Sequence, residues 1–431
     1  MVFLFGFLSN ELKFKNIYSN LSYSIDLVEN YFNFNLKKKI GDREDKKNLK
    51  NPHFKSGNNF NTSGNNFNLY NKPNKIFNDY LLIKHDHSEP VLLNSPDKLV
   101  WTWSLSKFRN STKMIPYHMF PNGDLIIGNS EKKGIYRIDK NGQILWKRNK
   151  ISHHWIDVYE DKLFIPSRNF VKLPKDIDNK LLAKSLLKEC RIKNSIFDTI
   201  LIINANNGKI LDEIDLMKIL PSNKNFIEIL NENYQSDKNF CEDPLHLNDI
   251  QVIDNFDLEY LKKSLPTINK EDLILSFRNI NTIIFYDYKR SSIKHIVYNL
   301  FDKQHSPRIN KDGFLYVFDN NPNGKSSKIV KINLKNNTIN SIFESKNFIS
   351  GLRGRIQFFN DKLFIQSSGQ GEVFEIICEY ELFNNCEQNY VYSSNFSFFY
   401  PSDMYDSTKT FKKDAIYLAD FYDKEYVKFL D

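Results

Sequence analysis

The sequence predicts an all-β chain folded as a six-bladed β-propeller with helical insertions, and three observations carry that expectation. The first is a recurring phrase: a histidine, a short strand, an acidic or glycine turn, then an apolar strand. It runs from His118 through Pro121-Asn122-Gly123-Asp124 to Leu125–Ile127, from His154 through Asp157 and Asp161 to Leu163–Ile165, from His246 through Asp249 to Val252, and from His305 through Asp312-Gly313 to Leu315–Val317. A repeat on this scale signals an array of small sheets. The second is length. A chain of 431 residues is long for one core, and a propeller is the exception because each blade adds its own layer and packs on the next. The third is an aromatic content of 14%, rich in Phe and Tyr, which suits interlocked sheets.

The elements follow in order. Strands are expected at Leu81–Ile83, Val91–Leu93 and Leu99–Trp103, with a turn at Ser95-Pro96-Asp97. Blade one holds His118, Leu125–Ile127, Gly134–Ile138 and Gln143–Trp146, with Asp139-Lys140-Asn141-Gly142 as a hairpin. Blade two begins at His154 and resumes at Thr199–Ile203, with a hairpin at Asn206-Asn207-Gly208 and a helix-like insertion from Asn179 to Cys190. Blade three runs from His246 to Val297 and carries a second helical insertion, Asp257 to Asp272. Blade four spans His305 to Phe343 around an Asn336-Asn337 turn, and blade five runs from Gly351 to about Tyr392. Blade six combines Ile416–Leu418 and Val427–Leu430 with the strands of 80–103, because mixing both termini in one blade removes exposed sheet edges.

Three regions are expected: an anchor-like, amphipathic segment (1–35), a linker (36–75) and the propeller (76–431). Val2–Leu8 is apolar but far shorter than the roughly 20 residues of a membrane span, and reads as the tail of an anchor or signal. Residues 36–75 are rich in Lys, Asn and Gly and bury too little to order themselves. The net charge is +8, of which residues 1–75 contribute +6 (12 Lys/Arg against 6 Asp/Glu), so the propeller lacks the basic stripe of a nucleic-acid binder. Of four cysteines none forms a CxxC pair, which disfavours zinc. Cys378 and Cys386 flank an expected hairpin tip at Asn384-Asn385, as a disulfide or as two separate thiols.

Five of nine histidines (His118, His153, His154, His246, His305) fall at blade starts, so in a closed ring they converge on one pocket. Arg168 and Arg278 repeat one strand later, where a guanidinium suits a tetrahedral oxyanion such as sulfate or phosphate. Three chemistries fit such a funnel: a His-ligated metal, nucleophilic histidine catalysis with an arginine clamp, or a binding surface without catalysis. Asp157 and Asp249 follow their histidines by three residues and serve equally as ligands or as blade stabilisers.

The run Asp243-Pro244-Leu245-His246-Leu247-Asn248-Asp249, then Ser276-Phe277-Arg278, then Gln304-His305 with Asp312-Gly313 and Phe318-Asp319-Asn320, resembles the PAPS-independent arylsulfotransferases (aryl-sulfate sulfotransferases). His153-His154 with Asp157 looks like their earlier histidine motif. The likeness spans about 80–395, and the chain looks like the shorter branch, lacking an extra N-terminal β domain. It implies a six-bladed propeller that moves a sulfuryl group from an aryl sulfate ester to a phenol, without a nucleotide donor, cofactor or metal. His305 is then the nucleophile, Arg278 holds the sulfuryl oxygens, His246 moves the proton and His154 orients the group. Asn248, His153, Arg168 and His118 are the further substrate-binding candidates. The helical insertion ahead of Arg278 is a place where the arginine could shift. The partners expected are a small aryl sulfate and a phenol, with no nucleic acid, in a periplasmic or other extracytoplasmic setting and with an N-terminal membrane anchor. The runners-up are a non-catalytic propeller binding a small anion or partner protein, and a metal-dependent hydrolase or lyase.

Overall fold

The computed structural model describes residues 79–85, 89–95, 98–108, 113–130, 132–172, 190, 194–236, 240–324, 326–351, 353–378, 386–393 and 416–430. The anchor-like segment, the linker, most of the Asn179–Cys190 insertion, part of the Ser95-Pro96-Asp97 turn and the Asn384-Asn385 tip lie outside these residues.

Six four-stranded antiparallel sheets make six blades. The innermost strands are Ile115–Met119, Asp157–Tyr159, Leu247–Val252, His305–Ile309, Arg355–Phe359 and Ile416–Tyr422. They pack in that order around a common axis, and Ile416–Tyr422 closes the ring against Ile115–Met119. Middle strands are covered on both faces. In blade three, all of Leu273–Phe277 and Thr282–Asp287 is buried, whereas the outer strand Ser292–Tyr298 is mostly half-buried. This burial explains why the middle strands read as continuous apolar runs rather than as alternations. Each large apolar side chain so buried contributes roughly 1.5–3 kcal/mol.

The closing blade mixes both termini as the sequence implies, but Val427–Leu430 is not one of its strands: Lys428–Leu430 is a short 3-10 turn, and Val91–Ser95 and Lys98–Thr102 complete the sheet. Tyr80–His85 pairs with the C-terminal Ile416–Tyr422, setting Leu81 opposite Phe421 and Ile83 opposite Ala419. Phe421 then stacks on Phe364 of blade five at 4.0 Å. Tryptophans pin neighbouring blades: Trp103 Nε1 donates to Gly123 O of blade one at 2.8 Å, and Trp146 Nε1 donates to Ala205 O of blade two at 2.8 Å. Glycine is required in the inner turn of blade four. Gly313 has φ +75, and a Cβ there would stand 2.9 Å from Tyr260 O. Blade five makes the equivalent turn with Asn360 and Asp361, both at positive φ, as a two-residue hairpin of the primed type requires.

One helical expectation is corrected and one unexpected helix is added. The insertion expected over Asp257–Asp272 is a helix at Asn255–Leu261, capped by Asp254, which accepts from Asp257 N at 2.8 Å. The chain then turns through Pro266, which cannot continue a helix. A longer helix, Lys224–Ser236, precedes His246 and was not anticipated. Asn223 Oδ1 accepts from Phe226 N at 3.1 Å at its start, and Phe226 and Leu230 are fully buried from one face. No helix among the described residues is long and apolar enough to cross a membrane.

The cysteine expectation also changes. Cys190 is bonded to Cys241, a pairing that spacing did not suggest. The bond ties the approach to strand Asn194–Asn204 to the segment that leads into His246. Cys378 and Cys386 are backbone partners across their strand pair.

Candidate active site

One end of the axis opens into a cavity of about 350 Å³ to which every blade contributes. Blade one supplies Ile115, Tyr117 and Ser130, and blade two His153, His154 and Trp155. Blade three supplies His246 and Arg278, blade four His305, blade five Arg353 and blade six Tyr417. A simple rule of place unites them. Apart from Tyr117, in the middle of its strand, they sit at the N-terminal ends of the inner strands, or just past the C-terminal ends of the second strands, which antiparallel pairing brings to the same mouth.

Backbone irregularity aims the imidazoles. His154 has φ 62 and His246 φ 57, in the left-handed region that non-glycine residues seldom occupy. Buried Asp198 supports the turn at His246 by accepting from Leu247 N at 3.0 Å. A break in pairing between Leu247 and Asp249, and another between His305 and Arg308, lie next to the two histidines. Bulges of this kind re-aim side chains.

Ring nitrogens converge. His246 Nε2 lies 3.3 Å from His153 Nε2 and 3.1 Å from His154 Nε2. The His154 and His305 ring centres are 5.4 Å apart. Behind the cluster, Asp243 Oδ2 is 2.6 Å from His246 Nδ1, and Arg168 Nη2 is 3.3 Å from that carboxylate oxygen and 3.1 Å from Nδ1. Burial alone would raise the Asp243 carboxyl, but His246, Arg168 and Arg278 outweigh it and hold the pKa below the ordinary value. An ionised Asp243 can only accept, so His246 Nδ1 carries the proton and Nε2 offers a lone pair to the pocket. Asp198 shows the opposite behaviour: burial and the Asp243 charge push it up to about 7.

Positive charge and burial keep the imidazoles neutral. Burial first, then Arg278, lowers His305 to about 3. Burial lowers His246 to about 4, with Asp243 opposing and Arg168 assisting. His153 and His154 are also depressed, by burial and then by neighbouring cations and imidazoles. His305 Nε2 has no hydrogen-bond partner among the described residues, while its Nδ1 lies 2.6 Å from Asn320 Oδ1.

His153, His154, His246, Arg278 and His305 therefore come together, and the helix ahead of Arg278 does not displace it from the mouth. Three other candidates stand elsewhere. Arg168 lies behind His246, held by Asp243 and, at 3.6 Å, by Asp198. Asn248 is fully buried beside the pocket and donates to Gln304 O at 2.6 Å. His118 sits deeper along the axis, 3.3 Å from Tyr426 Oη, because it falls late in its strand rather than at the opening. Asp157 and Asp249 act within the ring: Asp157 Oδ2 accepts from Val252 N at 2.7 Å, and Asp249 pairs with Arg308 at 2.8 Å.

Sequence reasoning missed Arg353, Tyr417, Trp155 and Tyr117. Arg353 covers the Tyr417 ring at 4.2 Å from its centre. No phrase in the repeat marks these residues, although Arg353, Tyr417 and Trp155 fall at the register that the rule of place defines, while Tyr117 lies mid-strand beside His118. His153, His154 and His246 also present ring nitrogens all within 4.8 Å of one another, a spacing that could hold a metal ion.

The fold and pocket define a class: a propeller with an axial pocket lined by neutral imidazoles and guanidinium groups. Comparison places the chain within that class. The arylsulfotransferase (ASST) family model matches residues 120–379, more than half of the chain, and the protein belongs to that family. No curated protein matches it. Among solved structures, a streptogramin B lyase is 11% identical, with 74% of this chain and 85% of that one covered and a TM-score of 0.40. Virginiamycin B lyase from Staphylococcus aureus is 13% identical, with coverages of 64% and 69% and a TM-score of 0.35. A protein of unknown function from Bacteroides caccae is 14% identical, with coverages of 69% and 89% and a TM-score of 0.36. Likenesses of this grade carry no argument about chemistry.

Proposed function

We propose that this arylsulfotransferase-family protein moves a sulfuryl group from an aryl sulfate ester to a phenol through a sulfohistidine at His305. One observation carries the reading: the buried Nε2 of a neutral His305, which has no hydrogen-bond partner among the described residues, shares a cavity with Arg278, the cation that most depresses its pKa. A neutral imidazole is a competent nucleophile, and a guanidinium beside it suits the three sulfuryl oxygens.

In the first half-reaction the Nε2 lone pair forms the N–S bond as the S–O bond to the phenol breaks. The bonding pair leaves on the phenolate oxygen, which takes a proton from His246. That proton comes from solvent: the negative charge of the bound donor offsets the arginines and raises the imidazole, so His246 Nε2 is protonated as the donor binds. In the second half-reaction the acceptor phenol returns a proton to His246 Nε2, its oxygen takes the sulfuryl group, and the N–S pair goes back to His305. Asp243 fixes the His246 tautomer throughout, and His154 orients the transferred group. Tyr117, Trp155 and Tyr417 supply aromatic walls on which an aryl ring can pack.

The Cys190–Cys241 bond supports an oxidising, extracytoplasmic setting. Thiol alkylation of unreduced protein from its native compartment tests that part, since labelling at Cys190 would contradict it.

The activity test follows nitrophenolate release from 4-nitrophenyl sulfate by the full chain, with and without phenol. Release that depends on phenol and disappears in His305→Ala supports transfer. Release that depends on an added divalent ion, and survives His305→Ala, would favour metal chemistry at the three-histidine cluster.

A further inference from the structure

We propose that Asn320 is a positioning residue that locks His305 in the tautomer with hydrogen on Nδ1, leaving Nε2 bare for attack. The inference deepens the sulfuryl-transfer reading and rests on it for its catalytic consequence. Asn320 follows strand Leu315–Asp319 and is the blade-four counterpart of Arg278 in blade three. It is 1% exposed, so its amide must find partners inside the protein.

Those partners leave one arrangement. Its Nδ2 faces the backbone carbonyls of Ser350 and Arg353. Carbonyls only accept, so the amide nitrogen must point there and Oδ1 must point to His305. The second neighbour of His305 Nδ1 is also a carbonyl, Lys303 O at 3.2 Å. With an amide oxygen at 2.6 Å and a carbonyl at 3.2 Å, Nδ1 faces acceptors alone and has to donate. Nε2 is then the lone-pair nitrogen, and it is the one without a hydrogen-bond partner among the described residues. Free neutral imidazole divides its proton between both nitrogens, so the site selects one form.

The same side chain does a second thing. By gripping Ser350 O and Arg353 O, Asn320 ties the nucleophile to the turn that delivers Arg353, at φ 61, to the cavity wall. A carboxamide suits both tasks because it accepts on one side and donates on the other. A carboxylate would meet the imidazole N–H but repel the two carbonyls.

The test has two arms. The first is ¹⁵N NMR of the full chain with labelled histidine, assigning His305 by comparison with His305→Gln. The account expects the Nδ1–H tautomer in the native protein and partial conversion to Nε2–H in Asn320→Leu. A native His305 in the Nε2–H form, or a tautomer unchanged in Asn320→Leu, overturns it whether or not the protein transfers sulfate.

The second arm is single-turnover sulfation of His305 from 4-nitrophenyl sulfate. Asn320→Leu is expected to slow it about 10–100-fold, the usual cost of losing a supporting hydrogen bond to a functional histidine. Asn320→Asp keeps an acceptor on Nδ1 but adds negative charge, so it is expected to retain a measurable rate at high pH and to move the acid limb upward. An acid limb that does not move in Asn320→Asp assigns Asn320 to loop support alone and overturns the tautomer role.

Discussion

The propeller axis carries two layers built from the same six inner strands, and they behave as chemical opposites. In the layer of charged side chains within those strands, charges are paired. Arg308 meets Asp249 at 2.8 Å and Arg355 meets Asp420 at 2.8 Å, and Asp157 is spent on backbone N–H groups. In the pocket four imidazoles stand with Arg278 and Arg353, and Asp243 lies behind His246 rather than among the lining residues. Burial alone does not make a reactive site. Both layers are buried, but only the pocket presents imidazole lone pairs and guanidinium groups to a shared cavity, a pattern that suits an anion from outside.

The sharpest way to break this comparison is to remove the lone pair. His305→Ala should abolish transfer, with a loss of at least about 10³-fold in kcat for a deleted nucleophile, while circular dichroism shows a folded propeller. Arg278→Gln should follow, costing about 10²–10³-fold in kcat/KM for aryl sulfates, as loss of a charge-stabilising donor does. Nitrophenolate assays check both. Substitution in the paired layer should act on stability instead. Arg308→Met leaves Asp249 buried and unpaired, which costs on the order of 3–5 kcal/mol by denaturant unfolding, with turnover per folded molecule retained. Equal losses of turnover from Arg308→Met and Arg278→Gln would erase the distinction between the two layers.

The smallest effect concerns pH. With His305 lowered to about 3 and His246 to about 4, both are neutral in the free protein across the mildly acidic range. Since kcat/KM reports the free enzyme and transfer needs a proton gained by His246, it should rise modestly, not fall, as pH drops from about 7 to about 5. An acid limb centred near the ordinary histidine value of 6.5 would mean that these side chains are hydrated. Stability moves more. The folded histidines bind fewer protons than the unfolded ones, so their contribution falls as pH drops from 6.5 toward 4. Asp198 and Asp257, raised to about 7 and about 8, act the other way: their contribution is lost as pH rises through those values.

Much of the molecule was legible because blades repeat. The register that puts His154, His246 and His305 at strand openings also closes the ring through Ile416–Tyr422 and Tyr80–His85, and each step follows from local turn chemistry. His118 misled because the phrase around it is the same while its place in the strand differs, a shift of a few residues that moves the side chain down the axis. Arg353 was invisible because no histidine precedes it, although its strand occupies the same register. The Cys190–Cys241 bond joins residues 51 apart in sequence and depends on how blade two and the Lys224–Ser236 helix pack, which spacing does not encode. Asp243 and Asn320 stood in the motifs as letters. Their work appeared only with the direction of their hydrogen bonds.

The central claim is that His305 carries the sulfuryl group between donor and acceptor. The most direct measurement mixes the full chain with 4-nitrophenyl sulfate without phenol, quenches at alkaline pH to protect the N–S bond, and maps the modified peptide by mass. The account predicts one sulfuryl group per protein, on the peptide containing His305, discharged on adding phenol and absent in His305→Ala. Turnover with no covalent adduct, or an adduct on another side chain, would contradict it.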